Sequence, residues 1–255
     1  MRDFPVIWKM FLGSARLQKK RAALTIAAIA WGTVALLLLL SFGEGLKRQL
    51  VRGSAGMGDS LAVFWPGETS KTWQGLPTGR PIRPVLEDVD LIRERVPDLE
   101  GALGEFRRWG CSVTYGRKTA NMRVTGTSAE FGEIRNHIAR RGGRFLNDDD
   151  VTERRRVIFL GDEAAKELFG DEMPEGKTIL VNGSPYTVIG VMQKKLQMGT
   201  YGGPDAQGTV IPITTFKAQF GAERLENMVV KPKDPTQMKL TIRRVRETLA
   251  AKYKF

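Results

Sequence analysis

A run of 22 uncharged residues, Ala22 to Gly43, constrains this chain more than any other feature. As an α-helix it is about 33 Å long, and the hydrocarbon core of a bilayer is about 30 Å thick. A secretory leader has an apolar core of only about 7–15 residues, closed by a small-residue cleavage site. Here the run passes straight into Glu44-Gly45-Leu46-Lys47-Arg48-Gln49-Leu50, and the small residues Ser54-Ala55-Gly56 lie too far beyond it. The expectation is a retained transmembrane helix over residues 22–43, followed by a stalk over 44–58.

Flanking charge orients the span. Arg2, Lys9, Arg16, Lys19, Lys20 and Arg21 precede it, and Lys47, Arg48 and Arg52 follow. The heavier cluster stays in the cytoplasm, so the N-terminus is expected there and the main domain outside, periplasmic or extracellular, on a bacterial inner membrane. Within residues 1–21, Phe4, Trp8, Phe11, Leu12 and Ala15 recur at helical spacing among basic residues. This cytoplasmic, amphipathic, basic segment fits an interfacial helix touching membrane lipid, and fits a plain basic tail equally.

Of the 255 residues, those beyond 58 suffice for one large domain or two small ones. The formal net charge of +12 would suit a nucleic-acid binder. Residues 1–58 carry +7 of it, where proximity to a membrane accounts for it, and the remaining +5 is diffuse. Only Arg154-Arg155-Arg156 is dense, and it reads as a solvated face, with a contact to acidic lipid or a partner as the alternative. No aromatic-plus-basic RNA signature or zinc-finger spacing occurs, so nucleic acid is not expected as a partner. The single cysteine, Cys111, has no internal disulfide partner and reads as a small buried residue.

Element signals in the outer part are mixed. A short strand is expected over Leu61–Trp65, a loop over Glu68–Pro84, and a helix over Val85–Val96 with acids early and Arg93 and Arg95 late. An irregular strand over Leu99–Val113 leads to a hairpin around Gly116-Arg117-Lys118 that returns over Thr119–Thr125. From Gly142 to about Lys194 the pattern is a compact β-α-β-β unit. It comprises strand Val157–Leu160, a helix capped by Asp162 and stopped at Gly170, strand Thr178–Val181, an Asn182-Gly183 turn and strand Tyr186–Val191. A polar glycine-rich loop follows over Gln193–Gly208. Strand Thr209–Ile213, helix Thr215–Phe220, strand Leu225–Val230 and helix Pro235–Ala251 end the chain, the last with Met238, Ile242, Val245 and Leu249 on one face. Strands and helices mix without regular alternation, so the fold class expected is α+β.

Catalytic chemistry is not indicated. The stretch from Gly170 to Thr178 has five residues between its glycines, where a phosphate-binding loop needs four, and lies in helix–loop–strand order. Asp148-Asp149-Asp150 lacks the alternation, the central Gly and the final Glu of a calcium loop, and reads as loop acids that cap the next turn. His137 is the only histidine and Cys111 the only cysteine, and no zinc set, Ser-His-Asp triad or Cys-His pair is read from them. No catalytic, cofactor-binding or metal-binding residue is nominated, and no cofactor is expected.

Several stretches occur together, in order, in one family. They are Ala15-Arg16-Leu17-Gln18-Lys19-Lys20-Arg21 before the span, Ser41-Phe42-Gly43-Glu44-Gly45-Leu46 at its exit, and Gly143-Arg144-Phe145-Leu146-Asn147-Asp148-Asp149-Asp150. Val157–Gly161, Leu168-Phe169-Gly170, Gly176-Lys177-Thr178-Ile179 and Tyr186–Val191 follow. The chain resembles the N-terminal part of the MacB/FtsX-type ABC transporter permeases over nearly its whole length. The resemblance implies a non-enzymatic permease working with a separate ATP-binding subunit and a second permease chain, and handling cargo or a periplasmic or outer-membrane partner protein. It implies a porter-like outer part, residues 59–141 and 209–255, with an inserted small α/β lobe, residues 142–208. It also implies three further spans after the outer domain. No second such run occurs before Phe255, as in a fragment or a permease split over two polypeptides. The alternatives are a membrane-anchored interaction domain that regulates an envelope enzyme without transport and, less well supported, a signal-anchored enzyme.

Overall fold

The computed structural model describes residues 19–55, 58, 60–197 and 199–255. Two units result, Met1–Arg52 and Gly53–Phe255. The amphipathic pattern from Phe4 to Ala15 lies outside the described residues.

In the first unit, helix α1 (Lys19–Ala55) is continuous through the apolar run. Its residues Lys19–Leu50 are long and apolar enough to cross a membrane, and no part of that apolar window is buried within the chain. The consecutive residues Leu36, Leu37, Leu38 and Leu39 point to all sides of the helix and are all exposed. A helix apolar all round needs an apolar surrounding, and a soluble core helix would be buried by its own chain. The hydroxyls of Thr25 and Thr33 donate to the carbonyls of Arg21 and Ile29, one turn back. That satisfies both threonine hydroxyls of the run within the helix backbone.

The second unit mixes strands and helices. In chain order it contains β1 (Ala62–Phe64), β2 (Gly67–Glu68), β3 (Pro81–Ile82), α2 (Leu86–Arg95), β4 (Leu99–Tyr115), β5 (Lys118–Thr127), α3 (Phe131–Ile134), α4 (Asp148–Thr152) and β6 (Val157–Leu160). Then follow α5 (Asp162–Phe169), β7 (Thr178–Val181), β8 (Ser184–Val191), β9 (Gly208–Pro212), α6 (Ile213–Phe220), β10 (Asn227–Pro232) and α7 (Met238–Tyr253). The expected elements are present, the short helices α3 and α4 are added, and there are further local differences. The loop over Glu68–Pro84 contains the small β2–β3 pairing, closed by mutual bonds between Trp73 and Leu76. Gly161, not Asp162, is the N-cap of α5; Asp162 is its first helical residue, where its charge still favours the positive helix end. The strand expected over Leu225–Val230 is shifted to Asn227–Pro232. Pro235–Gln237 forms a 3-10 turn and α7 begins only at Met238.

Eight strands form one sheet in the order β1-β10-β4-β5-β9-β6-β8-β7. The pairs β5–β9 and β6–β8 are parallel and the other pairs antiparallel. A further pairing, Val113 with Val181, joins β7 back to β4. The ring β4-β5-β9-β6-β8-β7 therefore closes on itself. Closure depends on a bend in β4: its pairing with β5 shifts register between Arg108 and Cys111, and Gly110 there has φ 67°. A bulge of this kind lets one long strand serve two directions.

Alternation along the strands separates two apolar layers. Phe106, Val113, Val124, Ile158, Leu160, Ile179, Tyr186, Ile211, Met228 and Val230 share one cluster with Ile92 of α2, Leu168 of α5, Phe216 of α6 and Val245 and Leu249 of α7. Cys111 is buried in this cluster, as expected for a small apolar side chain. Leu103, Phe159, Val210 and Val229 belong to the other cluster, to which, among the described residues, the longer helices of this unit contribute no residue. Phe131, Ile134, Leu146 and Met192 cover it instead.

Candidate functional site: a buried ion cluster beneath a glycine strap

Beside this second layer, strands β4, β5 and β10 carry charged and polar residues at positions where apolar ones would be usual. Glu105 and Arg107 of β4, Thr125 of β5 and Asn227 of β10 are buried. The register sets Glu105 opposite Asn227 and Arg107 opposite Thr125, so these side chains share one face of the sheet. Arg135 and His137 come from the end of α3 and the segment after it, and both are buried.

The glycine-rich segment over Gln193–Gly208, expected as a polar loop, is a strap tied across this face. Gln193 hydrogen-bonds to Ile138 and Ala139. Lys195 Nζ donates to the Arg135 carbonyl at 2.8 Å and pairs with Asp205 at 2.9 Å. Tyr201 Oη donates to Glu105, which also holds Arg107 at 2.6 Å. Arg107 bonds Asn227 Oδ1 at 3.0 Å. Arg123 donates to the carbonyls of Gly202 and Pro204. Asp205 receives Arg135 at 3.1 and 3.3 Å, with Arg123 at 3.9 Å. The Arg135 guanidinium also lies 4.3 Å from the centre of the Tyr201 ring. The glycines are needed for contact: a Cβ on Gly202 would lie 2.5 Å from Arg107 Cζ, and one on Gly208 2.2 Å from an Arg123 nitrogen.

Burial governs the protonation states. It pushes His137 down to about 3; Lys195 and Arg135 act in the same direction, and Asp205, 3.9 Å away, opposes them. His137 is thus neutral at pH 7, with Nδ1 donating to the Arg135 carbonyl at 3.1 Å and the ring packed 4.7 Å from Phe131. Burial alone would raise Asp205, but His137 when protonated, Arg135 and Lys195 outweigh it and hold the carboxyl below its usual value. Tyr201 is raised well above 10 by burial and by Glu105, and stays a phenol that donates its proton. This arrangement positions and clamps. Among the described residues no group of His, Cys, Asp or Glu is placed to hold a metal ion.

The model of the MacB-like periplasmic core domain matches residues 22–248. The chain belongs to this family. Two macrolide export ATP-binding/permease proteins MacB are similar to it: that of Wolinella succinogenes is 27% identical over 96% of this chain, and that of Azoarcus sp. 30% identical over 99%. The chain spans only 37% and 38% of their lengths. Among solved structures, the periplasmic region of MacB from Actinobacillus actinomycetemcomitans aligns with TM-score 0.63 at 20% identity, covering 78% of this chain and 86% of that one. The extracellular domain of the noncanonic ABC-type transporter YknZ from Gram-positive bacteria aligns with TM-score 0.62 at 18% identity, covering 76% and 95%. These likenesses establish the periplasmic-domain fold.

The family-like segment Gly143–Asp150 has a physical basis. Arg144 grips Asp150 through two bonds of 2.5 and 3.0 Å. Asn147 and Asp150 cap α4 reciprocally. Gly143 lies so close to Gly190 that a Cβ would stand 2.7 Å from its Cα. The acids read as capping loop residues therefore divide: Asp148 and Asp149 are exposed, while Asp150 is buried and ion-paired. The solvated face expected at Arg154–Arg156 is interrupted, because Arg155 turns back to Glu153 at 2.8 Å and Asp150 at 3.6 Å. In the Gly170–Thr178 stretch, Lys177 pairs with Glu172 at 2.8 Å between α5 and β7. Sequence reasoning placed His137 in no zinc set or triad and did not find its cluster. The available signal was charge at alternating strand positions, Glu105, Arg107 and Arg123, of which only Arg107 was read, with Arg108 and Gly110, as irregularity.

Proposed function

We propose that this chain is the first span and outer domain of a MacB/FtsX-type ABC transporter permease, and that the outer domain transmits ATP-driven motion to cargo or a partner protein. The observation that carries this reading is the family match, which runs continuously from the apolar helix through the outer fold. In this reading the N-terminus is cytoplasmic, the domain is periplasmic or extracellular, and a separate ATP-binding subunit and a second permease chain complete the machine. Residues 59–141 and 209–255 are the porter-like part, and 142–208 the inserted lobe. In support, β5 and β9 pair in parallel while the chain between them builds β6, β7 and β8 beyond β9. A domain closed by ion pairs moves as one piece, which suits force transmission better than chemistry. This portion is not an enzyme.

The test has two parts. Protease or cysteine-labelling maps of intact cells should find Lys118 and Lys194 outside and the N-terminus inside. The complete permease, co-expressed with its ATP-binding subunit, should show ATP-dependent distance changes between spin labels on paired outer domains. Cytosolic labelling of Lys118 would refute the topology. Distances indifferent to ATP, together with capture of an envelope hydrolase and no ATP-binding subunit, would replace transport with regulation of an envelope enzyme.

A further inference from the structure

Asn182-Gly183 is the only Asn-Gly pair in the chain. Both residues have positive φ, 48° and 83°, as a two-residue type I′ turn between β7 and β8 requires. Both are exposed, so water reaches them. The pair also stands at the seam that closes the ring of strands. Two residue pairs join β7 to β4, Val113 with Val181 and Thr114 with Leu180. Asn182 adds two bonds to them. Its N–H donates to the Ser112 carbonyl at 2.8 Å, and its Oδ1 accepts from the Ser112 N–H, also at 2.8 Å. The main chain turns away toward β8 here, and the side-chain amide takes its place in the ladder. Next to Ser112 lies the buried Cys111. Burial pushes its thiol up, with Arg108 and the Asn182 side chain opposing.

An asparagine loses its amide most readily before glycine, because no side chain shields the following backbone nitrogen. The Gly183 nitrogen attacks Asn182 Cγ and forms the N–C bond of a cyclic imide. The Cγ–Nδ2 bond breaks, and the proton from the Gly183 nitrogen leaves with the departing ammonia. Water then opens the imide at either carbonyl, giving aspartate or isoaspartate. The fold opposes the first step. The imide needs the Asn182 Cα–C bond rotated away from its setting in a type I′ turn, and needs Oδ1 to leave Ser112. We propose that Asn182 is a site of spontaneous deamidation gated by opening of the β4–β7 seam, and that the isoaspartate product leaves the seam open. Isoaspartate lengthens the main chain by one methylene and shortens the side-chain arm by the same group. The N–H and the side-chain oxygen can then no longer both reach Ser112. This holds whether or not the chain belongs to a working transporter.

The test uses the full chain in detergent micelles, aged in mildly alkaline buffer and mapped by mass spectrometry of tryptic peptides. Asn182 is the only asparagine in peptide 178–194, so a one-unit mass gain placed on it by fragment ions reports the site. The urea-unfolded chain should deamidate there, and the folded chain at least about tenfold more slowly, because reaction waits on a local opening. Gln219→Ala removes the 3.0 Å bond from Gln219 Nε2 to the Val181 carbonyl and should narrow that ratio. Should the variant fail to fold, urea below the unfolding transition loosens the unsubstituted chain instead. The deamidated chain carries one more negative charge and separates by ion exchange. Its Cys111 should react with N-ethylmaleimide severalfold faster than in the fresh chain. Equal deamidation rates in the folded and unfolded chains, or an Asn182 that stays intact in urea, would overturn the gated site. A Cys111 as unreactive in the acidic species as in the fresh chain would overturn the opened seam.

Discussion

His137 makes acid lability quantitative. In the unfolded chain it titrates near its ordinary value of 6.5, whereas in the folded domain burial holds it at about 3. Its folded value is depressed, so between those two values the unfolded state binds one more proton. Stability must then fall as pH falls, by about 1.4 kcal/mol per unit. The loss should be about 1.4 kcal/mol at pH 5.5 and about 2.7 kcal/mol at pH 4.5, relative to pH 8. Below about 3 both states are protonated and the slope ends. His137→Asn isolates this contribution, because an Asn amide nitrogen can take the place of Nδ1 toward the Arg135 carbonyl. The assay is urea unfolding of the full chain in micelles, repeated at half-unit steps of pH. The variant should be less stable at pH 8 through lost packing against Phe131, Phe145 and Phe159. Between pH 6.5 and 4.5, however, its curve should be flatter than the parent's by about 1.4 kcal/mol per unit. Carboxylates that titrate in this range act on both proteins and cancel in the difference. Parallel curves would show that His137 is protonated in the folded state, and the reading of a neutral buried imidazole would fail.

Other outcomes follow from the same contacts. Gly208→Ala drives a Cβ into the buried end of Arg123 and should destabilise the domain by about 1–3 kcal/mol in urea titration. Gly126→Ala meets Phe216 Cβ at 2.4 Å and ring Cγ at 2.6 Å, where Phe216 stacks on Phe106. It should cost at least as much and broaden the aromatic proton signals in NMR spectra. Asp150→Asn removes the carboxylate that holds Arg144 and Arg155, for a loss of about 1–3 kcal/mol given that both arginines are part-exposed. Burial would raise Asp150, but bonds from Arg144 and the Asn147 amide hold it low. Its stabilisation is therefore present above the unfolded carboxylate value and disappears as pH falls through the folded one, so the Asn variant should lose less on acidification. Leu38→Lys, in the middle of the apolar run, should reduce the fraction of protein that resists alkaline carbonate extraction from membranes.

Features whose physics is local could be read from the chain alone. Twenty-two uncharged residues suit a bilayer wherever the rest of the chain goes, because hydrocarbon thickness and helical rise are fixed. Gly170 ends α5, Asn182-Gly183 turns β7 into β8, and acids lead α2 while arginines close it, all through interactions spanning a few residues. The first failures were equally local, as at Gly161, where capping preference named the neighbouring Asp162. The tertiary structure decided what distant residues do to one another. The bend in β4 has a purpose only when β7, nearly seventy residues later, is there to be met. Asp205 and Arg135 are 70 residues apart, and Tyr201 and Glu105 are 96 apart. A charged residue carries no mark of whether water or a partner will surround it. Burial and partner are assigned together when the strap closes over the sheet, and with them the protonation of His137.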